Sequence, residues 1–188
     1  MLDVLSQDLR NSVDGGRRSG PKYWLYMLGK ATLAPQVHAL VAFRIGSSLR
    51  GTVLWPLAFV LKAFGIVWAG ADIHPKAQIG PGFVLAHGTA VTIGADVQAG
   101  RNLRVNTGSQ IGAMRLTDPL DPARPTYIGD DVFVGAHAMI LQDCHIGDGA
   151  VIGANSVVTR DVPPLAVVSG NPAKVVRMLD KPISGAQE

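Results

Sequence analysis

The stretch IGDDVFVGAHAMILQDCHIGDGAVIGANSVVTRDVP, residues 128–163, divides into six-residue units that each open on Ile or Val. The same division runs upstream from Ile73 as IHPKAQ, IGPGFV and LAHGTA, then, after two extra residues (Val91 and Thr92), as IGADVQ, AGRNLR, VNTGSQ and IGAM. Ala99 is the one first position that is not Ile, Leu or Val, and Gly recurs at the second. The fifth is usually small or β-branched, as in Ala77, Thr89, Val97, Ser109, Val132, Ala138, Ala150 and Ser156. An aliphatic residue every six positions lines one interior edge, and the compact fifth residue leaves room beside it. Gly and polar residues between them supply corners where a side chain or a negative φ would obstruct the turn.

Three units close a triangular coil of about 18 residues, so stacked coils set like positions above one another. A helix is excluded, because a period of six places successive apolar residues about 240° apart around its axis. An ordinary sandwich is excluded because each Gly breaks the period-two alternation. The fold class is therefore mainly β, a left-handed parallel β-helix of four to five coils. The expected organisation is an N-terminal helical segment over residues 1–70, the β-helix over 71–163 with a loop inserted at 114–127, and a tail over 164–188. In the first part, QVHALVAFRIGSSL (36–49) sets Val37, Leu40, Val41 and Ile45 on one helical face, and 53–68 forms a second apolar helix. After VPP a short C-terminal helix is expected to begin near Pro172.

Composition narrows the function. The chain is 47% hydrophobic and 16% charged, a folded protein and not a disordered one. Its one cysteine, Cys144, rules out an internal disulfide framework and a Cys-rich metal site, and its fifth-position place makes it a small core residue. A net charge of +3 favours anionic partners only mildly, and no basic stripe interleaved with aromatics points to nucleic acid. The start, MLDVLSQDLRN, lacks the basic n-region of a signal peptide. VLWPLAFVLKAFGIVWAG (53–70) is barely long enough to span a membrane and is interrupted by Pro56 and Lys62, so a packed or interfacial helix is expected. The expected location is the cytoplasm, with peripheral contact at the inner membrane open.

One histidine stands out. His87 sits among small residues in LAHGTA with Gly88 directly after it, where it is either a solvated corner residue or a base. Asp72 lies 15 residues before it, three short of one coil, so the two can meet near a corner of adjacent coils. His74, before Pro75, reads as structural; His38 reads as a packing or capping residue, and His145 as a corner residue. His137, in VGAHAM, is the alternative base, because a turn position can face the same groove.

Several segments resemble the hexapeptide-repeat acyltransferases. VHALVAFRIGSSL resembles the helix before the repeat in the serine acetyltransferase branch, GADIHPKAQIG its entry into the first coil, and the insertion after LAHGTA falls where that branch has one. SGNPAKVVR resembles the close of the repeat in sugar and xenobiotic acetyltransferases. The likeness covers residues 36–178 and is closest to exopolysaccharide-modifying relatives of the colanic acid type. It implies a homotrimer with acetyl-CoA in the groove between subunits, no metal, His87 as general base and Asp72 as its partner. It also implies an oxyanion donor near Gly112–Ala113 and a pantetheine track along Gly135–Ala136 and Gly153–Ala154. Lys174 and Arg177, three apart on the expected helix, would reach the phosphates of CoA.

Two substrate-binding positions depart from true serine acetyltransferases. Ala86 stands where that branch has an aspartate directly before the histidine, and Arg124 stands before Pro125 where it has a second histidine. The acidic Asp-Pro-Ala element is also missing, with Gly20–Pro21 in its region. A free amino acid brings an ammonium that needs a carboxylate in a dry site. The expectation is thus an acetyl-CoA-dependent O-acetyltransferase acting on a saccharide, an exopolysaccharide precursor, with the loop at 114–127 choosing the acceptor. Serine O-acetylation is the alternative. A γ-type carbonic anhydrase is excluded by the histidine spacing, and a non-catalytic scaffold remains as a reading from another class.

Overall fold

A computed structural model describes residues 2–14, 29, 33–113 and 125–183. The repeat forms three parallel sheets that are the three sides of a β-helix. The first side stacks β1 (Ala71–Ile73), β4 (Val91–Ile93), β7 (Gln110–Ala113), β10 (Met139–Leu141) and β13 (Val157–Val158). The second stacks β2 (Gln78–Ile79), β5 (Val97–Ala99), β8 (Thr126–Ile128) and β11 (His145–Ile146). The third stacks β3 (Val84–Ala86), β6 (Arg104–Asn106), β9 (Phe133–Val134), β12 (Val151–Ile152) and β14 (Ala166–Ser169), with β15 (Lys174–Met178) at its end. Thr92 pairs with Gln110 and Met139 with Val157, each one 18-residue coil further on.

The first-position residues fill the interior. Ile93, Val105, Ile111, Val134, Ile140, Ile146, Ile152 and Val158 are all buried, as are the fifth-position Ser109, Val132, Ala138, Cys144, Ala150 and Ser156. Thr89 is the exception, an exposed turn residue.

Two of the three corner columns turn on residues in the left-handed region. Between the second and third sides, Asn102 (φ 56°), Asp131 (φ 56°) and Gly149 (φ 66°) donate their N–H groups to Pro81, Arg101 and Asp130 of the coil before. Asn and Asp tolerate this conformation better than other side chains do. The second-position glycines have a separate cause. A Cβ on Gly100 would run into Oδ1 of Asp130, which accepts the Arg101 N–H at 2.7 Å; one on Gly129 would meet Asp148, which accepts the Asp130 N–H at 2.8 Å. Each carboxylate thus caps the corner of the preceding coil in space that only Gly leaves open.

The N-terminal part contains α1 (Leu2–Asp14), α2 (Pro35–Ser48) and α3 (Trp55–Ala69). On α2 the buried residues include Val37, Leu40 and Phe43, while Ile45, expected on the packed face, is 39% exposed. The helices are fastened to the first coil by one buried ion pair. Arg44 donates through Nε to Asp8 Oδ2 (2.6 Å) and through Nη2 to the Gly80 carbonyl (2.7 Å). Asp8 Oδ1 accepts the N–H groups of Gly82 (2.7 Å) and Phe83 (2.9 Å). Burial pushes the Asp8 carboxyl above its ordinary range, and the Arg44 hydrogen bonds and charge and the two backbone donors oppose it.

Two expectations are corrected by this fold. The segment after Pro172 is not a helix but strand β15, antiparallel to β14. Its β-branched Val175 and Val176 suit an extended chain, and it pairs with the backbone edge that β14 would otherwise leave open. The inserted loop also ends earlier than expected, since Thr126 and Tyr127 already belong to β8; its residues 114–124 lie outside the described residues.

Two substitutions test these contacts. Asp8→Ala strands a buried guanidinium and two N–H groups and is expected to cost about 3–5 kcal/mol, read as a lower urea midpoint; a loss below about 1 kcal/mol would show that α1 does not depend on the pair. Gly100→Ala is expected to cost about 1–3 kcal/mol by forcing Asp130 off its corner.

Candidate functional site

The corner between the third and first sides repeats one geometry. Gly108 (φ 70°), His137 (φ 56°) and Asn155 (φ 57°) occupy it in successive coils, and their N–H groups donate to Thr89, Thr107 and Ala136. In the first coil the equivalent left-handed residue is Ala90 (φ 59°), followed by buried Val91, just as buried Ser109 follows Gly108. On the strand side, Ala86 is in register with Asn106. One coil on, Thr107 follows Asn106 directly, whereas His87 and Gly88 intervene between Ala86 and Thr89. The two extra residues are therefore His87–Gly88 and not Val91–Thr92, which are strand β4 and pair with Ala71 and Asp72.

The insertion is thus the histidine itself. It forms a two-residue bulge with His87 in the left-handed region (φ 56°) and exposed, while Gly88 behind it is buried. A Cβ on Gly88 would come within 3.1 Å of the Gln36 Cβ and 3.2 Å of the Leu85 Cβ, so the bulge rests on the start of α2. Gly70, which caps α3 in the left-handed conformation, lies against Thr89 and Ala90. Both helices hold the corner from below.

Asp72 lies on β1, in register with Thr92 of the next coil on the side that this corner opens onto. Its carboxylate does not bond to His87; Oδ1 pairs with Lys62 Nζ of α3 at 2.7 Å. Among the described residues the His87 imidazole makes no hydrogen bond. His137 stands in the same corner column two coils away, its ring over Gly108, where a Cβ would collide with Nδ1.

The remaining candidates divide clearly. Gly112 (φ 74°) is stepped over where Ile111 pairs with Ile140 and Ala113 with Leu141, so the ladder is irregular at the expected oxyanion position. The N–H groups of Gly135 and Gly153 are already donated to Ile152 and Val168 (2.8 Å each), so those two amides are not free for a pantetheine arm. Ala136 is half-buried and Ala154 exposed on the same corner. Lys174 and Arg177 are exposed on β15. Opposite Ser169 and Val167, they share a face despite their odd spacing, because the pairing shifts register between Val167 and Val168. Ala86 ends β3, half-buried, and Arg124 lies outside the described residues.

His74 and His38 have structural contacts. His74 accepts the Lys76 N–H at Nδ1 (3.1 Å); burial first, then the Lys62 and Lys76 charges, pushes it below the usual imidazole range. His38 accepts the Trp68 indole N–H at 2.9 Å, tying α2 to α3.

Comparison with known proteins places this architecture. Residues 125–160 match the family model described as bacterial transferase hexapeptide (six repeats). The chain is 38% identical over 144 residues to serine acetyltransferase 2 of Arabidopsis thaliana, covering 77% of this chain and 44% of that protein. It is 33% identical over 144 residues to the serine acetyltransferase of Helicobacter pylori, covering 77% of this chain and 82% of that one. Soybean serine acetyltransferase complexed with serine superposes with a TM-score of 0.78 at 33% identity, over 93% of this chain and 68% of that chain. A serine acetyltransferase in complex with CoA gives 0.76 at 30% identity, over 93% and 69%. The coil winding is the left-handed one of these structures. This chain spans less than half the length of the Arabidopsis relative.

These matches overturn the expectation of a saccharide acceptor and of an exopolysaccharide branch, since the likeness runs to serine acetyltransferases along most of the chain. Ala86 removes one way of holding an ammonium, but a single missing carboxylate does not fix the acceptor. The described β-helix and its helices belong to a member of the serine acetyltransferase family.

Proposed function

We propose that this protein is a serine O-acetyltransferase that moves the acetyl group of acetyl-CoA onto the hydroxyl of L-serine. The observation that carries the reading is the His87–Gly88 bulge, the one break in the first coil's period, which puts an exposed imidazole without a hydrogen-bond partner, among the described residues, on the corner that opens toward Asp72. The relatives support the substrates: the soybean enzyme is complexed with serine and another family member with CoA.

A serine hydroxyl is a poor nucleophile near neutral pH and a thioester is a good acyl donor. His87 takes the hydroxyl proton as the oxygen attacks the carbonyl; the new C–O bond forms, the C–S bond breaks, and the proton passes from the imidazolium to the departing thiolate of CoA. Asp72 is the positioning residue. Lys62 holds its Oδ1, which leaves Oδ2 to take the second ring N–H and fix the tautomer that accepts the proton. The irregular backbone at Gly112–Ala113 supplies N–H groups for the oxyanion. Three copies assemble as a homotrimer with CoA between neighbours, where Lys174 and Arg177 on their common face meet its phosphates.

Thiol release from acetyl-CoA with L-serine as acceptor tests this. Wild type should turn over, and His87→Ala should lower kcat by about 10²–10⁴-fold, while His137→Ala stays within a few-fold. Silence with serine, or an unimpaired His87→Ala enzyme, would sink the proposal. Asp72→Asn should lower kcat by at least about tenfold with a much smaller change in the KM for acetyl-CoA; a matching rise in KM alone would instead assign Asp72 to binding.

A further inference from the structure

Helix α3 is built inside out. Its buried residues are the small ones, Ala58, Gly65 and Ala69. Val60, Phe64 and Val67, spaced i, i+4, i+7 on the opposite face, are 62%, 45% and 88% exposed. The turn before it adds Val53 (95% exposed) and Leu54 (56%), and Trp68 near its end is 57% exposed. Its only charged side chain, Lys62, is committed to Asp72. An apolar outer face this continuous marks a surface that meets something other than water.

The charge distribution says what that is. From Gly15 to Ala71 the sequence holds no Asp or Glu, yet it holds Arg17, Arg18, Lys22, Lys30, Arg44, Arg50 and Lys62; all 14 acidic residues lie outside it. Arg44 and Lys62 are neutralised by Asp8 and Asp72, while Arg50, exposed just before the turn at Val53, has no carboxylate in the segment to offset it. A two-fold contact with a second copy would bring two Arg50 side chains onto one apolar seam with no acid of the segment to meet them. An anionic lipid surface satisfies both features, with the apolar side chains of α3 entering the acyl boundary and Arg50 meeting headgroups.

We propose that α3, with the turn at Val53–Leu54, is a peripheral contact surface for an anionic bilayer. The helix lies in the plane of the surface. Its 15 residues reach only about 22 Å at 1.5 Å each, and among the described residues no helix is long and apolar enough to cross a membrane. Trp55 and Trp68, near its two ends, suit the headgroup layer. The proposal is independent of which acceptor the corner at His87 takes.

Flotation of the full chain with vesicles tests it, using phosphatidylcholine alone and phosphatidylcholine with about 30 mol% phosphatidylglycerol. Wild type should bind the anionic vesicles at least about tenfold better, with a blue shift in tryptophan emission and weaker binding at high salt. Val60→Asp with Val67→Asp should reduce binding at least about tenfold, and Val53→Asp alone, outside the helix, should reduce it as well. Circular dichroism checks that each variant is folded. Equal flotation of wild type and the double variant, or none by either, would overturn the proposal. It would equally fail if the double substitution broke an assembly seen by sedimentation while wild type ignored vesicles, for the face would then belong to a second copy.

Discussion

The structure depends on each coil returning to its starting register. A slip of one residue would turn an aliphatic edge toward water along a whole strand. Two of the three corner columns prevent it with residues in the left-handed region whose N–H groups are tied to the coil before, as Asn102 is to Pro81 and His137 to Thr107. Between those ties nothing can be added to a strand without breaking its pairing. Inside a strand an extra residue shows as a register shift, as at Gly112, and longer insertions fall between strands at two places. One is the insertion between Ala113 and Pro125, which joins β7 to β8. The other is the bulge at His87–Gly88.

A β-helix has open ends as well as corners, and each end exposes interior aliphatic residues and unpaired strand edges. Here the two ends are closed by different means. At the first coil, Phe43 of α2 meets Phe83 edge-on with ring centres 6.3 Å apart, and the Asp8–Arg44 pair brings α1 over the same coil. The pair spends its donors and acceptors on backbone groups at 79–83 that have no earlier coil to bond to, which is why a buried ion pair is found there in place of apolar packing. At the other end β15 folds back on β14 and supplies the missing backbone partners.

How much of this was legible in the residues follows from which forces are periodic. The interior was readable because Ile, Leu and Val every six positions leave no alternative. The place of the insertion was not: LAHGTA keeps the six-residue spacing through Ala90, so the excess shows in the sequence only at Val91–Thr92. The hydrogen bond from Gly108 to Thr89 and the pairing of Val91 with Ala71 move it back to the histidine. The tail misled for a similar reason, because Pro172 and a Lys–Arg pair three apart look helical, whereas the open edge of β14 and two valines decide for a strand. The Asp8–Arg44 contact had no local signal at all, with 36 residues between its ends. On the acceptor, the departures at positions 86 and 124 concern single side chains, whereas the likeness to the serine enzymes runs through the whole repeat.

The Lys62–Asp72 pair, ten residues apart, ties α3 to the strand that follows it. Lys62 is the single charged residue of α3 and stands beside its buried stripe, half-buried against β1, while the large apolar residues of the same helix face outward. Asp72 belongs to the side of the coil onto which the His87 corner opens. The pair is three-quarters shielded on the lysine side and 39% exposed on the carboxylate side, so its attraction is stronger than that of a surface pair while one face of the carboxylate stays accessible. The side chain that anchors the helix to the first strand is thus also the one that orients the carboxylate. Of the two ion pairs that fix the stretch of chain with no acids of its own, this one joins the outer apolar helix to the side of the coil onto which the His87 corner opens.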